Sequence, residues 1–529
     1  VTQLLLNGRI HSPTHPDATA LAVRGDTVAW LGSDDVARSQ FPDAEVVDLD
    51  GAFVAPAFVD SHVHVTSTGL LLTGLDLRAA TSREHCLRML AEYAAAHPDG
   101  VVWGHGWDDA DWSDTPTTAE VDTASAGRPV YLSRIDVHSA LASTALRSQV
   151  ADLAGADGYD AEGALRADAH HLVRARARAL LTESQQQQAR TAALDAFAAA
   201  GVVAVHECAG PQIGGLDDWR HLHATDHGVD VVGFWGEAVT SADQARELLT
   251  HTGAQGLAGD LFIDGALGSR TAHLLQPYAD ADHCGRHYLD PDAVEGHLRA
   301  CTEARITAGF HVIGDAAVTV VVDALQKVVD ALGVPAVARC GHRLEHLEMV
   351  TVEQAAKLGS WGVIASVQPN FDALWGGEDG MYAQRLGPER ARGLNPLAQL
   401  AAAGVPLAFG SDSPVTELDP WATVRAATTH HTPGASVSAR SAFSASTRGG
   451  WRAGGVRDGV TGTLVPGAPA SYAVWEADNL EVAAPADSVA RWSTDPRSRV
   501  PALPALAEAS PRCLQTVHRG RVLHGGCNV

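Results

Sequence analysis

Between residues 56 and 455, short apolar runs alternate with Ala- and Leu-rich segments of helical spacing, and that rhythm limits what the chain can fold into. The runs fall at 202–205, 229–234, 261–263, 306–310, 362–367 and 405–409. The helical segments fall at 183–200, 241–249, 292–303, 318–332 and 352–358. A repeated strand-then-helix order covers both faces of a parallel sheet and makes an α/β fold. The length fits a TIM-like (β/α)8 barrel with insertions, and a doubly wound sheet is the alternative. The stretch 66–200 exceeds one β/α unit, so inserted helices and loops are expected there.

The two ends read differently. Residues 1–55 form short strand-like pieces separated by turn signals such as Asn7-Gly8 and Asp50-Gly51. Residues 456–529 carry further strand-like runs at 470–475 and 513–517. Pairing of late strands with early ones would build one β domain from both termini, around the large middle segment 56–455.

The formal charge of -25 argues against a nucleic-acid surface, which needs a basic footprint. No uncharged apolar run is long enough to suggest a membrane span, and no charged leader precedes a long apolar stretch. The seven cysteines include no C-x-x-C pair, so reduced thiols in a cytoplasmic protein are expected.

Polar residues cluster at the ends of the apolar runs. His62 and His64 follow Phe58-Val59 with i, i+2 spacing, which puts both imidazoles on one face of a strand. His206 and Glu207 follow 202–205, His311 follows 308–310, His346 ends Arg343-Leu344-Glu345-His346, and Asp412 follows 407–411. Asp260 opens the run Asp260-Leu261-Phe262-Ile263-Asp264. Strand C-termini converge on one face of a barrel, so these dispersed residues make one plausible constellation. Imidazoles and a carboxylate together suit a divalent metal. His62 and His64 would hold a first ion; His311 and His346 would hold a second or help polarise substrate. Asp412 would contact metal and handle the proton of the attacking water. The blander reading of Asp412 is a helix cap, since Ser411-Asp412-Ser413-Pro414 is also a helix-start pattern.

In this order the motifs resemble the amidohydrolase superfamily, and within it the YtcJ-like, N-substituted formamide deformylase branch. The resemblance runs from Asn7-Gly8 through the segment 55–64, Asp136-Val137-His138-Ser139, 262–270, 311–317, 343–346 and 410–415 to Gly462-Thr463-Leu464. It implies a catalytic (β/α)8 barrel over 56–455 with a composite β-sandwich domain made by both termini, and metal-activated water attacking an amide or related bond. Zinc is the usual ion. It makes His62, His64, His311, His346 and Asp412 the metal set, with Asp412, His346 and His138 catalytic and His138 also at the substrate. Arg270 and Trp107 are further substrate-binding candidates.

One departure stands out. The family often places a carboxylated, metal-bridging lysine where Asp260 stands, and the only lysines here are Lys327 and Lys357, both in helical segments. One ion, or an altered two-ion site, is therefore expected, with Asp260, Glu207 and Glu237 as competing carboxylates. The favoured reaction is hydrolysis of a small amide-like molecule such as an N-substituted formamide. The alternatives are deamination of a small cyclic or nucleobase-like compound, or a non-enzymatic metal-binding scaffold. A homodimer stays open.

Overall fold

The computed structural model describes residues 2–482, 501–507 and 509–526. Its centre is an eight-stranded parallel sheet: β1 (Phe58–Val63), β2 (Val202–Ala209), β3 (Asp230–Trp235), β4 (Gly256–Leu257), β5 (Thr307–Val312), β6 (Arg343–His346), β7 (Ile364–Val367) and β8 (Leu407–Phe409). Neighbours follow chain order without reversal from β8 to β1. A doubly wound sheet would reverse at a switch point; this one curls round instead. The ends meet just beyond β8, where Asp412 N–H donates to the His62 carbonyl at 2.8 Å and His64 N–H to the Ser413 carbonyl at 2.9 Å. Asp60 fastens the same seam, its carboxylate accepting from Ser411 N–H at 2.8 Å and from the Ser411 hydroxyl at 2.6 Å.

The outward residues of the strands pack against the surrounding helices in one apolar cluster that includes Val203, Val205, Phe310, Val312, Leu344 and Val367. Small residues occur where a neighbour needs the room. A Cβ on Gly233 of β3 would meet the Trp219 ring at 2.0 Å. The Trp219 indole occupies that space and donates to the Thr252 carbonyl at 2.8 Å.

The stretch between β1 and β2 is more than helices and loops. It holds its own five-stranded mixed sheet, built from Leu75–Asp76, Val102–Trp107, Val130–Arg134, Ser139–Ala142 and Leu165–Arg166. Aromatic, glycine and charged residues interrupt these strands, which hid their period in the sequence.

Both termini join in β structure. Phe53–Pro56 pairs antiparallel with Tyr472–Glu476, with Val54 opposite Val474. Tyr472–Glu476 in turn pairs with Arg512–His518. A four-stranded sheet of Thr2–Leu6, Ala20–Arg24, Thr27–Gly32 and Glu45–Asp48 shares an apolar core with this one through Leu5, Leu21, Val28, Val54, Val474 and Val517. Among the described residues no helix is long and apolar enough to cross a membrane, and the six described cysteines are free thiols.

Candidate metal centre

Alternation along β1 turns Asp60, His62 and His64 into the barrel. His62 is fully buried and His64 nearly so, with ring centres 5.4 Å apart. Asp412, from the turn after β8, brings Oδ1 to 3.5 Å from His62 Nε2 and 3.3 Å from His64 Nε2. Asp412 does not cap a helix. The next helix, Pro420–Thr428, is capped by Asp419.

Asp260 also reaches this point. The strand of its unit is the two-residue β4, so Asp260 follows a strand end and does not begin a strand. The run 261–263 returns along β5 through a single bridge, Phe262 to His311. Asp260 Oδ1 stands 3.4 Å from His62 Nε2, and its Oδ2 stands 3.3 Å from His64 Nε2.

His346 ends β6. Arg343 and Glu345 take the inward positions of that strand, so alternation alone would send His346 outward. Its backbone is instead left-handed, at φ 70°, and its ring centre lies 4.8 Å from that of His62. Asp412 has a similar φ of 54°. Non-glycine residues reach this region at a cost of roughly 1–3 kcal/mol, and such strain concentrates at functional sites. His311, at the end of β5, lies 4.5 Å from His346 by ring centres, and its Nδ1 has no hydrogen-bond partner among the described residues.

Two triads of donor atoms, His62–His64–Asp412 and His62–Asp260–His346, each lie within 4.8 Å of one another. The set fits a metal ion on four grounds. His62 Nδ1 lies 2.8 Å from Glu345 Oε2 and donates to it, which leaves a lone pair on Nε2 facing carboxylate oxygens. His62 Nε2, Asp260 Oδ1 and Asp412 Oδ1 are buried without a partner. Buried acceptors turned on one another need a cation between them. The donor spacings of 3.3–3.5 Å also suit the ion: tetrahedral ligands at about 2.1 Å from zinc stand about 3.4 Å apart. Finally, burial alone would lower the pKa of His64, yet Asp260 and Asp412 push it up to about 10. The two carboxylates call for positive charge at this spot.

The sequence reading missed the layer beneath. Glu345 is gripped by Arg343 (Nε to Oε1 2.5 Å, Nη2 to Oε2 3.0 Å) and held well below the usual carboxylate range, the Arg343 and His62 charges outweighing burial. Arg343 also donates to the Ser61 carbonyl at 2.7 Å and the Ser366 hydroxyl at 2.9 Å, and contacts His206 Nδ1 at 3.0 Å. His346 Nδ1 donates to Gln368 Oε1 at 2.7 Å. These partners fix which ring nitrogen each histidine presents. The i, i+2 spacing of Arg343 and Glu345 was the available signal.

Other expected site residues lie elsewhere. Glu207 faces away from the donor cluster and accepts from Val65 N–H at 2.7 Å, at the start of helix Val65–Thr73. Glu237 is exposed and accepts from the Trp235 indole at 2.8 Å. Arg270 pairs with Asp280 at 2.7 Å, and Trp107 is buried with its indole on the Leu132 carbonyl at 2.8 Å. None of these four lines the cavity over the donors. His138 does line it, its ring 5.2 Å from that of His311. Asp136 sets its loop by accepting from His138 N–H at 3.0 Å and from the Ser269 hydroxyl at 2.7 Å.

The comparisons with known proteins agree with this geometry. Protein LONG AFTER FAR-RED 3 of Arabidopsis thaliana is 27% identical over 80% of this chain and 77% of its own length. The YtcJ protein of Bacillus subtilis (strain 168) is 26% identical over 77% of this chain and 79% of its own. The N-substituted formamide deformylase of Arthrobacter pascens is 22% identical over 76% and 78%. An uncharacterized metal-dependent hydrolase of Pyrococcus furiosus superposes with a TM-score of 0.67 at 25% identity, over 90% of this chain and 99% of that one. The cluster is a metal-binding site of histidine and carboxylate ligands, consistent with metal-dependent hydrolysis of a carbon–nitrogen bond. The model of the amidohydrolase family matches residues 45–524, and the chain belongs to that family.

Proposed function

We propose that this enzyme hydrolyses a small non-peptide amide, with N-substituted formamides the favoured class. His62, His64, Asp260 and Asp412 would hold one zinc ion. The observation that carries this reading is the convergence of partnerless donors from β1, β4 and β8 at the floor of a cavity. A cation held there supplies Lewis-acid polarisation of a carbonyl and of water. The chain does the rest. Asp412 has a carboxylate at the cavity wall to take a proton from the attacking water and pass it to the departing amine nitrogen. His138 and His346 flank the same space and orient the carbonyl. One lobe of the cavity is mainly apolar, walled by Leu267, Ile313, Phe371, Trp375, Met381 and Val415 with Glu348 and Tyr382 as polar members, and suits an N-substituent. The similarity to the Arthrobacter deformylase supports the formamide class.

The test is a panel of N-substituted formamides and acetamides offered to zinc-loaded protein, with formate, acetate, amine and ammonia measured separately. Amine with formate in equal amounts is expected. Ammonia release from aminopurines, with no amide turnover, would overturn the reading in favour of deamination.

A further inference from the structure

Helix Ala167–Ala179, in the segment inserted between β1 and β2, sends Arg174 and His171 into the cavity over the metal donors. Residues three apart share a helix face. Arg174 is 7% exposed. Among the described residues it has no carboxylate within ion-pair distance. One terminal N–H donates to the Gln212 carbonyl at 2.6 Å, and Nε is buried with no partner. A guanidinium carries five donors in a planar fork. Most of this fork is therefore unspent, in a place where water competes poorly. A buried charge left unpaired is costly, and a ligand of opposite sign in this cavity would offset that cost. Among the residues that line this cavity Arg174 is the one arginine or lysine, and the carboxylates Asp136, Asp260 and Asp412 stand on its other walls. Burial, with Arg174 nearby, pulls His171 down to about 3, so it stays a neutral hydrogen-bonding group. Ser67, also lining the cavity, offers a hydroxyl and accepts from Arg178 at 2.7 Å. Arg178 is turned to Ser67 and Asp218 and does not line the cavity, so a single guanidinium faces it, which fits a monoanion. The planar fork fits a carboxylate, which takes two parallel N–H bonds.

We propose that Arg174 is a specificity-determining residue that binds a carboxylate of the substrate. The preferred amide then carries its carboxylate on the side of helix Ala167–Ala179 and its apolar group in the Phe371 lobe, as an N-formyl or N-acyl amino acid does. This rests on the amide reading above.

The test separates the two. Asp412→Asn protein, its zinc content verified by atomic absorption, is titrated calorimetrically with N-formylphenylalanine and with its neutral carboxamide. The carboxylate form should bind at least tenfold more tightly. In the same background Arg174→Met should bring the ratio near one, and Arg174→Lys, which keeps charge without the fork, should fall between. Equal affinities before any change at Arg174 would overturn the proposal without requiring a further variant to fold. So would a preference that survives Arg174→Met, since the carboxylate would then be bound elsewhere. If the preference is present and Arg174-dependent while unmodified enzyme turns over neither compound, Arg174 stands as a carboxylate site and the amide reading fails.

Discussion

A single imidazole shows how much of this site depends on its supports. His62 presents Nε2 to Asp260 and Asp412 because Glu345 accepts a hydrogen bond from its Nδ1–H, and Glu345 is placed by Arg343. Glu345→Gln should therefore act twice. It leaves the Arg343 guanidinium buried without its counter-charge, a destabilisation of about 3 kcal/mol. It also loosens His62, lowering metal affinity roughly 10–100-fold. Chemical denaturation and competition with a zinc chelator read the two effects separately. Asp412→Asn should keep fold and thermal midpoint close to the parent while turnover falls by roughly a thousandfold. Near-parental turnover would remove Asp412 from proton transfer. The sequence showed the metal donors well where a strand's alternation aimed them, as for His62 and His64. It hid Glu345 and Gln368, because nothing local says which distant imidazole a carboxylate or amide will meet.

At the scale of elements, the helices and most barrel strands were legible, including the short strands Ile364–Val367 and Leu407–Phe409, while the two-residue strand Gly256–Leu257 was not. The helical segment 183–200 corresponds to Glu183–Ala199, and 318–332 lies within Asp315–Leu332. The run 261–263 looked like a strand on hydrophobicity, yet it makes one bridge, Phe262 to His311, and the residues that join both neighbouring strands are Gly256 and Leu257. Pairing across the sheet, not apolar content, decided it, and this moved Asp260 from a strand start to a strand end. Close helix approaches were equally silent. Gly69, in helix Val65–Thr73, faces Glu183–Ala199 so tightly that a Cβ would meet the Ala189 carbonyl oxygen at 1.8 Å. Backbone cannot give way as a side chain does. Gly69→Ala should destabilise the protein by about 2–3 kcal/mol, despite the better helix propensity of alanine. An unchanged denaturation midpoint would show that the two helices are not packed this closely.

For the whole molecule, buried neutral histidines predict acid lability. His297 Nδ1 accepts from Val239 N–H and its Nε2 donates to the Leu257 carbonyl; His342 Nδ1 accepts from Ala308 N–H. Burial pushes His297 down to about 4 and His342 down to about 3, from an ordinary value of 6.5. The unfolded chain then binds more protons than the native state between those values, so stability rises with pH. Each contribution, on the order of 3 kcal/mol, is fully present above pH about 6.5 and lost as pH falls through the folded values. The thermal midpoint should drop between pH 7 and 5, and His297→Gln should drop less steeply. Equal slopes would contradict this.

The same large-scale organisation brings residues 62, 260 and 412 to one point, and that convergence is the central claim. Anomalous diffraction from crystals of the zinc-loaded protein tests it most directly. A zinc peak bounded by His62, His64, Asp260 and Asp412 is expected. Full zinc loading with no peak there, or with His62 and His64 turned away from a shared centre, would contradict it.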